Sequence, residues 1–180
     1  MQKLKELYNK EISLKMQEKF KFSSIMRVPK YKKVVVHIGT GKLQKDDPKA
    51  VEEATRTIIE ITGQKPSVRL AKKAISGFKL RSGDKIGLMV TLRGDRMYDF
   101  LEKLIRMVLP RIRDFRGLQE SCIDKQGNLN IGIKEQVVFL EVRPERIEKV
   151  HGLQINIVTD AKNKEEAKEL FELSGIKFVK

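Results

Sequence analysis

Tryptophan is absent and cysteine occurs once, at Cys122. A single thiol excludes an internal disulfide and fits a reducing cytoplasm, where a lone cysteine usually behaves as a small buried hydrophobe. Histidine is nearly as scarce. His37 and His151 together with Cys122 give no metal-ligand spacing, so neither a metal nor another cofactor is expected. No apolar run nears the roughly 18 residues of a membrane span. The first residues alternate Lys and Glu with Leu and Ile, unlike a signal peptide, so no targeting segment is expected; a membrane is not the expected partner, although an anionic membrane surface is the main competitor for a chain this basic. Carboxylates lie mainly on helical faces such as KNKEEAKELFE, and no nucleophile stands beside a base, so the chain does not read as an enzyme. The glycines of IGTGK invite a phosphate-loop reading, but Leu43 follows Lys42 where a hydroxyl is needed. Gln44 stands where the dinucleotide fingerprint has its third glycine.

Positive charge is what the chain has in excess, 38 Lys and Arg against 24 Asp and Glu. Residues 1–90 hold 21 basic and 9 acidic side chains, a net of 12, whereas residues 91–180 hold 17 and 15, a net of 2. A folded domain with such a surface attracts a polyanion, most often nucleic acid, because each neutralised phosphate releases condensed counterions. At 180 residues the chain is expected to form one domain spanning 1–180, with a mostly aliphatic core.

Leu4, Tyr8, Ile12, Met16 and Phe20 recur every four residues and predict a helix over 2–20. The β-branched run after Pro29 predicts a buried strand from Lys33 to Ile38. Next comes a helix capped by Asp46 or Asp47, with Pro48 in its first turn and Gly63 just past its end. SVRLA and IGLMVTLRG read as strands joined by a long hairpin connection, KKAISGFKLRSGDKIG, from Lys72 to Gly87. It carries five basic residues against one acid, with three glycines, and reads as a mobile arm held in solvent. Asp95 is expected to cap a helix that Pro110 ends. The segment from Phe115 to Leu140 reads as an irregular loop and strand excursion, GLQINIVTD as a strand, and Asn163 as the cap of a last helix closed by Gly175. The fold class expected is α+β, a mainly antiparallel sheet with helices packed on one face and a long basic hairpin loop.

Alternation turns the His37 side chain to the sheet face opposite Val36 and Ile38, where it serves either as a satisfied sheet histidine or as a contact. Arg111, Arg113 and Arg116 in LPRIRDFRG suit bidentate phosphate contact, or form a basic helix end partly neutralised by Asp114.

Over ITGQKP, AKKAISGFKLRSGDKIGLMVTLRGDRMYDFLEKL and LPRIRDFRGL, the chain closely resembles the L-five family of bacterial large-subunit ribosomal proteins that bind 5S rRNA. VVVHIGTG, GIKEQVVF and NIVTDAKNKEEAKELFELSG extend the resemblance over essentially the whole chain. The resemblance implies a structural protein of the ribosome's central protuberance that binds 5S rRNA and joins it to the large-subunit rRNA. It also implies contacts with a small-subunit head protein at an intersubunit bridge, with neighbouring large-subunit proteins, and, through the basic loop, with peptidyl-site tRNA. Gln64 and Thr91 match polar family positions at the 5S contact, and His37 stands where the family usually has Asn. Arg69, Arg93, Arg111 and Arg113 complete the expected rRNA-binding set. The tRNA-binding set is Lys72, Lys73, Phe78, Lys79, Arg81 and Lys85, with Phe78 placed to stack on a base or anchor the loop. The alternative function is a general binder of structured RNA outside the ribosome.

Overall fold

The computed structural model describes residues 3–41, 48–78, 80–143 and 150–179, without the side chains of positions 48–50 and 78. Helix α1 is built of α-helical Leu4–Leu7, a π-helical turn Tyr8–Ile12 and α-helical Ser13–Phe20, which follow without a break. An exact four-residue repeat drifts about 40° per step on an ideal α-helix. The wider π turn takes up that drift, so Leu4, Tyr8, Ile12 and Met16 all end up buried. Lys21, in the left-handed region at φ 51°, terminates the helix.

The remaining elements are β1 (Tyr31–Gly39), α2 (Pro48–Thr62), β2 (Ser67–Leu70) and β3 (Lys85–Leu92). They are followed by α3 (Gly94–Lys103 continuing through the π turn Leu104–Val108 into Leu109–Arg111), β4 (Leu129–Ile133), β5 (Leu153–Thr159) and α4 (Lys164–Leu173). The strands form one sheet in the order β2-β3-β1-β5-β4, and the fold is α+β as expected. Burial alternates along all of β5, along β1 from Val34 and along β3 from Gly87, the mark of strands with one apolar and one polar face.

Two compact units share the chain. The first comprises Met1–Val34, Leu92–Ile131 and Asn156–Lys180, the second Val35–Thr91 and Gly132–Ile155. In the first, α1 packs on α3 and α4, with Met16, Leu101, Leu170 and Phe171 fully buried. There the Tyr31 hydroxyl donates to Ser174 Oγ at 2.7 Å, and Ser174 donates onward to the Leu170 carbonyl. In the second, Ala54 and Ile58 of α2, Val36 and Ile38 of β1, Leu88 and Val90 of β3, and Phe139 are buried.

Helix ends follow local chemistry, with three corrections. Gly63 at φ 66° and Gly175 at φ 100° close α2 and α4 as expected, and the Ile176 N–H returns to the Phe171 carbonyl at 3.0 Å. The expected caps Asp46 and Asp47 lie outside the described residues. Asp95 is not a cap: Arg93 is the N-cap in extended conformation, and Asp95, inside the first turn, pairs with Lys5 at 2.6 Å. Pro110 does not end α3, which runs on to Arg111. The π turn just upstream loosens the ladder where the proline ring would otherwise meet the carbonyl of Arg106. Asn163 is the N-cap residue of α4, but its side chain makes no capping bond. Glu166 reaches back instead and accepts from the Lys162 N–H at 3.1 Å.

Candidate nucleic-acid interface

Within the second unit the sheet face turned away from the apolar side is polar and cationic. The antiparallel register of β2 and β3 sets Ser67 across from Met89 and Arg69 across from Gly87. The Thr40 N–H donates to the Ile86 carbonyl at 2.9 Å. That register, carried back along β1, sets Gly39 across from Gly87, His37 from Met89 and Val35 from Thr91. Burial agrees, since Val36 and Ile38 are buried with Val90 and Leu88, while His37, Met89 and Thr91 are half-exposed on the other face. His37 therefore points where alternation predicted, diagonal to Thr91 on the adjacent strand. Among the described residues no partner engages either side chain.

Arg69 is exposed on the same face, with its Nη2 3.5 Å from Met89 Sδ. Lys85 and, on β5, Gln154 are exposed beyond it, and no acid occupies the open-face positions of the unit's strands among the described residues. Gly39 and Gly87 leave a lane without side chains between Arg69 and β1. A Cβ at Gly87 would stand 3.2 Å from the Ile38 carbonyl oxygen and 3.9 Å from Arg69 Cβ. Gln64 is placed by a different device, the turn after α2, where its backbone N–H and carbonyl both meet Thr62 Oγ1, at 3.4 and 3.3 Å. Its side chain is half-exposed.

The loop between β2 and β3 is tied at its base. The Ala71 N–H donates to the Asp84 carbonyl at 2.8 Å, the Gly83 N–H to the Ala71 carbonyl at 2.9 Å, and the Arg81 N–H to Asp84 Oδ2 at 2.7 Å. Further out, Ile75 and Leu80 form an antiparallel bridge across the short 3-10 turn Ser76–Phe78. The expected open arm is thus, over its described residues, a narrow hairpin extension. Lys72, Lys73 and Arg81 are exposed on it, and Lys85 is exposed at the start of β3. Lys79 and the Phe78 side chain lie outside the described residues.

Arg93, Arg111 and Arg113 belong to the first unit and are exposed. Arg111 ends α3, and Arg113 precedes Asp114, which turns the chain at φ 56°. Sequence reasoning missed Met89 and Gln154 and read Gly87 as the end of the hairpin connection, whereas it lies in β3; the same alternation that selected Thr91 points to each. No group of three or more His, Cys, Asp or Glu among the described residues is placed to hold a metal ion, and none of their helices is long and apolar enough to cross a membrane. His151 is buried, its N–H donating to Gln136 Oε1 at 2.7 Å.

Comparison of the sequence with known proteins places the chain in a family. Residues 24–81 match the family described as ribosomal protein L5, and residues 85–178 match the model of the same family's C-terminus. The large ribosomal subunit protein uL5 of Alkaliphilus oremlandii is 47% identical over 180 residues, covering all of both chains. That of Syntrophomonas wolfei is 49% identical over 178 residues, 99% of each chain. That of Chloroflexus aggregans is 50% identical over 176 residues, 98% of this chain and 97% of its own. Both parts of the family pattern occur in order along one chain, and the relatives match it end to end, so the chain belongs to the ribosomal protein L5 family.

Proposed function

We propose that the chain is a non-catalytic protein of the cytoplasmic large ribosomal subunit that binds 5S rRNA through the open sheet face of its second unit. The observation that carries this reading is the face, free of acids among the described residues, on which His37, Thr91 and Arg69 stand around the Gly39 and Gly87 lane. An RNA ribose offers a 2′-hydroxyl that both donates and accepts, and the Thr91 hydroxyl, the His37 imidazole and the Gln64 amide each do both. Arg69 supplies a planar donor fork for phosphate, and the lane allows a sugar-phosphate backbone to come close. Arg93, Arg111 and Arg113 serve as cationic contacts to large-subunit rRNA. Lys72, Lys73, Phe78, Lys79, Arg81 and Lys85 direct the β2–β3 hairpin to peptidyl-site tRNA. The remaining partners in this reading are a small-subunit head protein at an intersubunit bridge and neighbouring large-subunit proteins.

The Gln64→Ala/Thr91→Ala double variant tests the 5S contact. Each loss removes a hydrogen bond worth about 1–3 kcal/mol in a dry contact, so 5S affinity falls roughly thirtyfold or more. A folded double variant with unchanged 5S affinity overturns the assignment.

A further inference from the structure

The chain carries a second feature that the sheet-face reading leaves unused. Between Glu18 and Asp46 the sequence places eight Lys and Arg and no acid. Within that stretch, in the first unit, the chain makes the 3-10 turn Ile25–Arg27. The turn is held at both ends. Phe22 and Val28 are buried, the Phe22 N–H donates to the Gln17 carbonyl at 3.2 Å, and the Tyr8 hydroxyl donates to the Pro29 carbonyl at 2.9 Å. Internally, Ser24 Oγ accepts from the Met26 N–H at 3.3 Å, and the Arg27 N–H donates to the Ser24 carbonyl at 3.0 Å. What this anchored turn presents is apolar: Met26 is 77% exposed and Ile25 44%. Lys30 reaches Met26, its Nζ 4.0 Å from Sδ, Lys21 is exposed at the end of α1 just before the turn, and the Arg27 guanidinium lies 5.6 Å from the centroid of the Phe22 ring, itself stacked on Phe20. The nearby acid, Asp160, is engaged by the Lys30 backbone N–H.

Burying two large apolar side chains would stabilise a fold, yet the turn holds both out in water among cations. A protein partner requires roughly 800 Å² of matched surface, far more than two side chains supply. A small apolar wedge flanked by cations is instead how proteins press against a base step or minor groove while gripping the phosphates beside it. We infer that the Ser23–Arg27 turn is a second RNA-contact element. Met26 and Ile25 lie against sugar and base edges of structured RNA, and Lys21, Arg27 and Lys30 pair with the adjoining phosphates. The inference rests on the RNA-binding reading above and adds to the first unit a contact beyond Arg93, Arg111 and Arg113.

The test uses the full chain with Ile25→Ser/Met26→Ser, and Leu14→Ser as a control for loss of an exposed apolar residue elsewhere on the first unit. Each protein is titrated with two probes, 5S rRNA and the large rRNA purified from subunits, and its thermal unfolding is measured alongside. The expected result is at least tenfold weaker binding of one or both RNAs by the double variant, with wild-type affinities for Leu14→Ser and melting temperatures within about 3 °C of wild type. Full retention of both affinities overturns the inference. If the variant then also enters subunits poorly, the turn docks on protein, which overturns it equally. Failure of the unaltered chain to bind 5S rRNA better than random RNA would instead sink the sheet-face reading, whatever the turn variant does.

Discussion

A side chain added at Gly87 separates the fold from the interface more cleanly than any deletion. Gly87 lies in β3 on the open face, and its backbone is outside the left-handed region, so substitution carries no conformational penalty. The new Cβ sits 3.2 Å from the Ile38 carbonyl oxygen, a slightly tight contact that costs a few tenths of an ångström of adjustment. Gly→Ala in a strand gains about 0.5–1 kcal/mol, which offsets that crowding. The net change for Gly87→Ala is within about 1 kcal/mol, or about 4 °C in melting temperature for a chain of this size. Gly87→Leu adds a branched side chain that fills the lane between Arg69 and β1. An RNA backbone seated there loses a charged hydrogen bond to Arg69, about 1.5–3 kcal/mol, and a neutral one to His37, about 0.5–1.5 kcal/mol. The sum corresponds to roughly thirtyfold to two-thousandfold weaker binding. Titration of labelled 5S rRNA with wild type, Gly87→Ala and Gly87→Leu, beside thermal unfolding of each, reads both quantities. Affinity should fall stepwise from Gly to Ala to Leu while stability stays level. A folded Gly87→Leu variant that binds 5S rRNA as tightly as wild type would refute the lane.

Two further perturbations probe the hairpin and the core. Replacing residues 72–83 by a short turn leaves the Ala71 and Asp84 base able to pair, so the protein should fold and bind 5S rRNA normally while peptidyl-site tRNA leaves the ribosome faster. Lost 5S affinity with normal tRNA residence would return Lys72, Lys73, Lys79 and Arg81 to the rRNA surface. In the core, burial pushes the Tyr31 phenol well above its ordinary range, with the Ser174 hydrogen bond opposing, and burial pushes Tyr8 the same way. Folded values above the unfolded value of about 10 mean that stability is fully present below about pH 10 and is lost as pH rises beyond it. Tyr31→Phe should cost about 1 kcal/mol at neutral pH, through the lost bond to Ser174, and flatten the alkaline fall seen in denaturant unfolding from pH 8 to 11. An equally steep fall in the variant would contradict this.

Much of the architecture was legible because it is set by local chemistry. The four-residue repeat of α1, the β-branched run of β1 and the glycines that close α2 and α4 each carry their structural reason within a few residues. What escaped depends on distant partners or on backbone geometry that residue types alone do not give. Asp95 reads as a cap until Lys5, 90 residues away, supplies its charge partner. Pro110 reads as a helix stop until the π turn before it is seen. In the irregular segment after Phe115, Asp124 organises a turn by accepting from the N–H groups of Gln126 and Asn128, and Asn128 in turn accepts from the Thr159 N–H in β5. At the interface, the facing of His37 and Thr91 followed from alternation. Their proximity to Arg69, and the lane beside it, depends on strand order and register, which one sequence does not print. The exposed Met26 was invisible for a related reason: hydropathy marks it as core, and only the anchored turn shows it facing water.

Competition binding at a series of salt concentrations tests the central claim most directly, with 5S rRNA, tRNA and random RNA each competing for the full chain. Recognition through the open face of the second unit requires 5S rRNA to win by at least about tenfold at physiological salt, a modest specificity ratio. Log affinity for 5S rRNA should also fall against log salt with a slope of about minus 4 to minus 6, as for roughly 5 to 7 neutralised phosphates. Equal affinity for the three RNAs would contradict recognition of 5S rRNA, and a slope near minus 1 would show that the positive face is only a solvated surface.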